Sequence, residues 1–428
     1  MQRCKINKST IEGMIEIPAS KSQTIRAIMF ASLAEGESTI RNFLNSPDTF
    51  AIIHACESFG ATITQRDSQL DILGVGGNIA FSRHVIDAGN SGLVLRFMTG
   101  LAAHDHHPVT ITGDKSIRTQ RQMQPLIDAL GHLKVKVIST HSNGLAPLVI
   151  QGPLSSGKTS VVGADSQFVS SLLIACAFAN GASEIQVASP GEKPWVDLTL
   201  HWFDKLGIKF QREGYSQYFL EGNSIFSGFI YTVPGDLSSL AFPVAAALIG
   251  NSSLKMANVD LSDQQGDKRL IDILIEMGAK IEFDSAEKTL TVNEGSILKG
   301  ITVDINDCID SITILAVLGC YAEGTTKIVN ASVAKIKECN RIECVAKELS
   351  KMGANIQVTD DGIIVQKSKL HGAEVESHKD HRMAMSLAVA AMQAEGETTI
   401  QDIACVQKTY PSFFVDFQKL GANFSVYS

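Results

Sequence analysis

Long apolar stretches of helical length alternate along the chain with short strands in which apolar and polar residues take turns, the two periods expected of buried helices and half-buried strands. A stretch rich in Ala, Leu, Ile and Met ends in a turn and runs into such a strand at Leu33-Ala34-Glu35-Gly36-Glu37-Ser38-Thr39-Ile40. Ala394-Glu395-Gly396-Glu397-Thr398-Thr399-Ile400 repeats this nearly letter for letter, weaker copies stand at 322–328, 180–185 and 250–254, and 106–111 is a degenerate sixth. After each comes a second helix, ending at Gly60, Gly131, Gly207, Gly278, Gly353 and Gly421, with separations of 71, 76, 71, 75 and 68 residues. The pattern predicts an α/β protein of six units of about 70 residues, each reading helix, strand, helix, strand with further short strands.

The first helix of each unit is apolar nearly all round, as a helix inside a domain should be. Its polar residues gather at its start: Ser20-Lys21-Ser22, Asn90-Ser91-Gly92, Asp165-Ser166-Gln167, Asp236-Leu237-Ser238-Ser239, Asp310-Ser311 and Asp380-His381-Arg382. N-capping accounts for Ser, Asp and Asn there. It does not account for Lys21, Arg26, His381 or Arg382, because cations at a helix start oppose its dipole; their presence predicts an anionic ligand against the same N-termini. The Pro234-Gly235-Asp236 turn follows three repeats and precedes three, which predicts two similar lobes with a ligand between them.

Composition narrows the class. With 428 residues, 44% hydrophobic and 19% charged, the chain is a globular protein of two or three domains rather than a disordered one. A net charge of −8 with dispersed Lys and Arg predicts no nucleic-acid partner, since phosphate backbones need a concentrated basic face. No apolar run reaches the roughly 18 to 20 residues that span a bilayer, and Met1-Gln2-Arg3-Cys4-Lys5 leads straight into strand-like sequence, so no membrane partner and a cytosolic address are expected. Cys4, Cys56, Cys176, Cys308, Cys320, Cys339, Cys344 and Cys405 lack C-x-x-C spacing, as reduced buried thiols do, and predict neither a zinc cage nor a disulfide framework.

Three segments are richer in charge than their surroundings: Pro18 to Arg26, where Lys21 and Arg26 frame the first buried helix; Lys335 to Arg341, where Lys337 and Arg341 share a helical face beside Glu338; and Asp380 to Met385 with Lys408-Thr409-Tyr410-Pro411 beyond it. Taken singly, each has a plain alternative in a solvated helix end, a surface ion pair or a structural His. Taken in order, they resemble the 5-enolpyruvylshikimate 3-phosphate synthase family of enolpyruvyl transferases, over essentially the whole chain. The resemblance rests on P-x-S-K-S-x-x-x-R-A at Pro18 to Ala27, N-[SA]-G at Asn90 to Gly92, S-Q-[FY] at Ser166 to Phe168 and K-P-[YW]-x-D at Lys193 to Asp197. P-G-D-x-S-S at Pro234 to Ser239, K-E-x-x-R at Lys337 to Arg341, D-H-R-[MI]-A-M at Asp380 to Met385 and K-[ST]-[FY]-P at Lys408 to Pro411 complete it.

The resemblance implies an inside-out α/β barrel of two lobes, each of three βαβαββ units, with residues 19–234 in one lobe, residues 1–18 and 235–428 in the other, and the active site in the cleft between them. It implies transfer of the enolpyruvyl group of phosphoenolpyruvate to the 5-hydroxyl of shikimate 3-phosphate, a shikimate-pathway step toward chorismate and aromatic amino acids, by a monomer without metal or organic cofactor. Lys21, Gly92, Arg121, Gln167, Arg341, Arg382 and Lys408 would then bind phosphoenolpyruvate. Ser22 and Arg26 would hold the shikimate carboxylate, Asp310 and Lys337 the ring hydroxyls, and Ser166 with Gln167 the rest of the acceptor, Ser166 at its phosphate. Asp310 would be the base near the hydroxyl and Glu338 the acid near C3, with Lys21 or Lys408 as competing proton donors.

Several positions depart from the family pattern. Asp165 and Glu192 stand where serines that hold the acceptor phosphate are usual; an ionised carboxylate there would repel a phosphate, so these acids turn away, or one is protonated, or the acceptor is another cyclic alcohol. The loop Gly113 to Gln122 has one extra residue and no proline, leaving Arg121, or else Arg118, as the anion ligand. Cys339-Asn340 replace the usual Thr-Asp, and Trp195 the usual Tyr. The sister transferase acting on UDP-N-acetylglucosamine carries a reactive Cys in the loop corresponding to Gly113 to Met123, and none occurs here. A non-catalytic phosphometabolite-binding protein is the remaining alternative, opposed by Asp310, Glu338 and the five cations.

Overall fold

The computed structural model describes residues 2–427. The chain divides at 18/19 and 233/234 into two compact units, one continuous (19–233) and one built from both ends of the chain.

Each unit contains three four-stranded sheets of identical topology. The repeat at 85–151 shows it whole: strands Val85–Asp87, Val109–Thr112, Lys136–Ser139 and Leu148–Gln151, with the helix Gly92–Ala102 between the first two and the helix Gln124–His132 before the final hairpin. The first two strands are parallel (Ile86↔Ile111), and the fourth pairs antiparallel with both the second (Ile111↔Leu148) and the third (Ile138↔Val149). A parallel pair needs a crossover, and here the apolar helix supplies it. Each sheet keeps its four strands and two edges, so the described strands close no barrel. The arrangement is inside-out in another sense: the crossover helices are buried on all sides, every residue of Gly92–Ala102 and His381–Ala391 included. The strands meanwhile bury alternate residues, as in Arg3–Ile6 and Lys158–Val162, presenting one face inward and one to solvent.

Three sheets are completed by strands far away in the chain. Ile230–Thr232 is the first strand of the repeat whose second is Glu35–Arg41 (Tyr231↔Ile40). Gly13–Glu16 plays that part beside Leu254–Ala257 (Ile15↔Met256), and Arg3–Ile6 is inserted between Thr398–Gln401 and Phe424–Tyr427 (Cys4↔Ile400 and Cys4↔Val426). The N-terminal segment therefore belongs to the same unit as the C-terminal half, and the core of each unit is one contiguous apolar cluster.

The turns that end the second helices correct one detail of the repeat. Gly60, Gly207, Gly278, Gly353 and Gly421 take φ of 104°, 70°, 102°, 90° and 108°, the left-handed conformation that glycine adopts without strain. Gly131 does not; it lies inside Gln124–His132, and Lys134, at φ 65°, makes the turn. The bonds agree, since Lys134 N–H donates to Gly131 O and Val135 N–H to Leu130 O, as Gly60 N–H does to Glu57 O and Ala61 N–H to Cys56 O. With Lys134 in place of Gly131 the spacing becomes 74 (60 to 134) and 73 (134 to 207). Among the described residues no helix is long and apolar enough to cross a membrane.

Candidate active site

The starts of the six buried helices carry most of the predicted chemistry, and five begin on a side-chain cap. Ser20 accepts from Gln23 N–H, Ser91 from Val94 N–H, Asp165 from Gln167 N–H, Asp236 from Ser239 N–H and Asp380 from Arg382 and Met383 N–H. The helix Ile312–Tyr321 is the exception: it follows the short turn Asn306–Ser311 and has no side-chain cap bond. The Asp310 carboxylate, not engaged as a cap, meets guanidinium groups instead.

In the unit that contains both chain ends, Arg341 organises a cluster of alternating charge. It is the first residue of the helix Arg341–Lys351 and is 1% exposed. Its Nε donates to Asp380 Oδ2 at 2.7 Å, Nη1 to Asp310 Oδ1 at 2.6 Å and Nη2 to Glu338 Oε2 at 2.8 Å. The second Asp310 oxygen accepts from Arg382 Nη2 at 2.9 Å, and Glu338 Oε1 accepts from Lys408 Nζ at 2.7 Å. Buried charges survive only when paired and hydrogen-bonded, and this lattice pairs them. Burial pushes the Asp310 carboxyl up, but Arg382, Arg341 and Lys337 outweigh it and hold the group well below the usual carboxylate range. Asp310 is therefore an anion at neutral pH.

One carboxyl beside this cluster escaped sequence reasoning. Asp267, on the turn Gly266–Lys268, is 1% exposed; Ser238 donates to one of its oxygens, and the other has no hydrogen-bond partner among the described residues. Burial, reinforced by Asp310 and partly offset by Arg382, pushes it up to about 8. One of three aspartates in the stretch Asp260 to Lys268, Asp267 carries no local sign of this.

The continuous unit holds the other predicted residues. A Cβ on Gly92, first in its helix, would lie 2.8 Å from Arg96 Nη1, 3.5 Å from Gln167 Oε1 and 3.8 Å from Arg121 Nη1, so glycine lets these three side chains converge. Arg121 is 3% exposed, whereas Arg118 lies exposed on the short helix Lys115–Thr119. Gln167 Oε1 is buried without a hydrogen-bond partner among the described residues, an acceptor waiting for a donor. Arg96 was also missed by sequence reasoning; its signal, an Arg within an apolar helix, is the one that singled out Arg26.

The two unexpected acids have distinct environments. Asp165 turns to Arg96, 3.3 Å away, with side chains 6% and 1% exposed, and caps its helix through Gln167 N–H. Glu192, at φ 45°, accepts from Ser166 N–H at 3.0 Å and Ser166 Oγ at 3.1 Å. Ser166 is thus held by a carboxylate. Arg26 is 2% exposed, bonds Thr199 Oγ1 through Nη2 at 3.0 Å and Nε at 3.2 Å, reaches the Ser22 and Trp195 carbonyls, and covers the Phe97 ring. Lys21 and Ser22 are half-buried in the first turn of the same helix, and Lys337 is buried next to Glu338.

Six βαβαββ units with buried crossover helices, five of them begun on a side-chain cap, and cations at several of their starts define the fold of an enolpyruvyl transferase. Comparison with known proteins is specific. The sequence model of the family described as EPSP synthase (3-phosphoshikimate 1-carboxyvinyltransferase) matches residues 6–417. The 3-phosphoshikimate 1-carboxyvinyltransferase of Chlamydia pneumoniae is 42% identical over 411 residues, covering 96% of this chain and 91% of that one. That of Acetivibrio thermocellus is 40% identical, covering 98% and 99%. The solved EPSP synthase of Acinetobacter baumannii superposes with a TM-score of 0.83 over 100% of both chains at 27% identity. The chain belongs to the EPSP synthase (3-phosphoshikimate 1-carboxyvinyltransferase) family.

Proposed function

We propose that this protein transfers the enolpyruvyl group of phosphoenolpyruvate to the 5-hydroxyl of shikimate 3-phosphate, releasing inorganic phosphate, on the way to chorismate and the aromatic amino acids. The observation that carries the reading is the Arg341 lattice, in which two carboxylates, Asp310 and Glu338, alternate with Arg341, Arg382 and Lys408. Five cations, Lys21, Arg121, Arg341, Arg382 and Lys408, match the carboxylate and phosphate of phosphoenolpyruvate, with Gly92 allowing close approach and Gln167 supplying a polar contact. Ser22, Arg26, Ser166, Gln167, Asp310 and Lys337 bind the acceptor.

The acceptor oxygen attacks C2 of phosphoenolpyruvate while C3 gains a proton, and the tetrahedral adduct then loses a proton from C3 and the phosphate from C2, which restores the double bond. Asp310, an anion with two guanidinium groups on its oxygens, takes the hydroxyl proton as substrate displaces those contacts. Glu338, a carboxylate bridged to Lys408 and Arg341, takes a proton from Lys408 Nζ and passes it to C3, with Lys408 and Lys21 as the competing direct donors. Fixed cations meet the negative charge that gathers on the departing phosphate. On this reading the protein works as a cytosolic monomer with no metal or organic cofactor, every acid, base and cation in the scheme being a side chain of its own.

The test is phosphate release from phosphoenolpyruvate in the presence of shikimate 3-phosphate, of unphosphorylated shikimate and of UDP-N-acetylglucosamine. Release that requires shikimate 3-phosphate supports the proposal; release with another alcohol alone overturns it. The second outcome has one specific observation in its favour, the Glu192 carboxylate on the Ser166 hydroxyl, and would identify a transferase for a different cyclic alcohol.

A further inference from the structure

The most degenerate copy of the repeated turn carries histidines that the reaction does not use. Where the first copy reads Ala34-Glu35-Gly36-Glu37, this one reads Ala103-His104-Asp105-His106-His107-Pro108. His104 turns inward, its Nε2 3.0 Å from the Ala175 carbonyl. Asp105 is 6% exposed; its Oδ2 accepts from Phe81 N–H at 2.6 Å and its Oδ1 from His107 N–H at 2.7 Å. The same Oδ1 lies 3.3 Å from His107 Nδ1, while the rest of the His107 side chain is open to solvent. Beside it stands His84, also exposed, with the two ring centres 5.9 Å apart and their planes tilted by 47°. The sheet holds the pair together. His84 immediately precedes the edge strand Val85–Asp87, its carbonyl accepts from Thr110 N–H at 2.7 Å, and His107 precedes the neighbouring strand Val109–Thr112.

We propose that His84 and His107 bind one divalent transition-metal ion of the class that prefers imidazole, represented by Zn²⁺, with Asp105 as the residue that orients His107. Burial pushes the Asp105 carboxyl up, but the His107 and Phe81 N–H groups and the His107 ring outweigh it and leave the group below its ordinary value. An ionised carboxylate only accepts, so His107 Nδ1 carries the proton and Nε2 keeps its lone pair. A buried carboxylate on the far nitrogen is what fixes the tautomer of a ligating histidine and strengthens it as a donor.

The spacing suits one ion. A metal about 2.0–2.1 Å from two imidazole nitrogens, in tetrahedral or cis-octahedral geometry, holds the ring centres about 4.5–5.2 Å apart. The two rings therefore need to close by about 1 Å, which exposed side chains achieve by small torsional adjustments. Among the described residues no group of three or more His, Cys, Asp and Glu side chains is placed to hold a metal, so water fills the other positions and the site is an open, exchangeable one. Mg²⁺, which takes oxygen ligands, does not suit it. The ion ties the residue before an edge strand to the turn before the strand beside it, and so pins that strand pair in the fold. His84 precedes the strand Val85–Asp87 and Gly92 follows it, and the inference does not rest on the proposed function.

The experiment titrates the full-length protein, freed of metal by a chelator, with ZnCl₂ and with MgCl₂ in a calorimeter, and follows thermal unfolding with and without Zn²⁺. The expected result is a Zn²⁺ site whose affinity falls about tenfold or more in His84→Ala and in His107→Ala, no binding of Mg²⁺, and an unfolding midpoint that Zn²⁺ raises in the parent protein more than in either variant. Both substitutions are at exposed positions, which tolerate change. Asp105→Asn should weaken Zn²⁺ by about 10- to 100-fold; if its loss of a buried charge prevents folding, the two histidine variants decide the matter. His54→Ala, which removes the exposed histidine beside Glu57, should leave the affinity unchanged. Absence of Zn²⁺ binding, Zn²⁺ binding that His84→Ala or His107→Ala retains in full, or an equal loss in His54→Ala would each overturn the proposal.

Discussion

Arg341 binds three carboxylates, and two of them should respond to the same neutral substitution in opposite ways. Asp380 is 0% exposed, while the Asp310 side chain is 24% exposed. Asp380→Asn keeps an oxygen to accept from Arg382 N–H, and Asn caps as well as Asp, so the helix start survives. What goes is the negative charge against Arg341 Nε at 2.7 Å in a site closed to water. Breaking a buried pair this way costs about 3–5 kcal/mol. Asp310→Asn removes a charge that is partly open to water, and Arg341 keeps Asp380 and Glu338, but Arg382, 4% exposed, loses its carboxylate; the expected change in stability is about 1.5–3 kcal/mol, smaller than that of Asp380→Asn. Its activity should nevertheless fall about 100- to 10,000-fold, the usual contribution of a general base. Urea denaturation gives the first pair of numbers and phosphate release under native conditions the second. The reasoning is refuted if Asp310→Asn is as destabilising as Asp380→Asn and loses activity only in proportion to the protein that has unfolded.

Three further outcomes follow from buried charge. Asp165→Ser, which restores the residue usual in the family, should destabilise the continuous unit by about 3 kcal/mol because Arg96, 1% exposed, loses its carboxylate; a neutral result in thermal or urea unfolding would mean that Arg96 finds another partner. Asp267 is raised to about 8 in the fold against an ordinary 3.8, so the folded state holds a proton that the unfolded chain has released, and stability should fall as pH rises from about 4 to about 8. Asp267→Asn should flatten that slope between pH 5.5 and pH 8, as read by urea titration, and an unchanged slope would assign the effect elsewhere. His104, bonded to the Ala175 carbonyl, is lowered to about 4 by burial. Its sign is opposite: stability should drop as pH falls from about 6.5 toward 4, and His104→Gln should remove that part of the acid sensitivity in a denaturation series.

How much of this was legible beforehand depended on the range of the interaction. Helices that are apolar all round, strands that alternate and caps at Ser20, Ser91, Asp165, Asp236 and Asp380 are set by neighbours within one turn or one pleat, and the sequence by itself determined them. The same reading broke down at Gly131, where the letter was present but the helix runs on to His132 and Lys134, three residues on, takes the left-handed turn. The sequence could place Asp310 and Arg382 at helix starts and flag Asp165 and Glu192 as out of pattern, but its single helical face for Lys337, Glu338 and Arg341 does not hold: the helix begins at Arg341, behind the Asn340 cap, and Lys337 and Glu338 precede it. Only the tertiary structure decided that one guanidinium binds three carboxylates, that Asp165 faces Arg96 and that Glu192 holds Ser166. It likewise decided that Arg3–Ile6 and Gly13–Glu16 complete sheets begun beyond residue 250. Apart from Arg341 and Glu338, three positions apart, those pairings join residues separated by tens to hundreds of positions, and the strength of the buried charge pairs comes from the exclusion of water around both partners, a quantity that no local stretch of sequence contains.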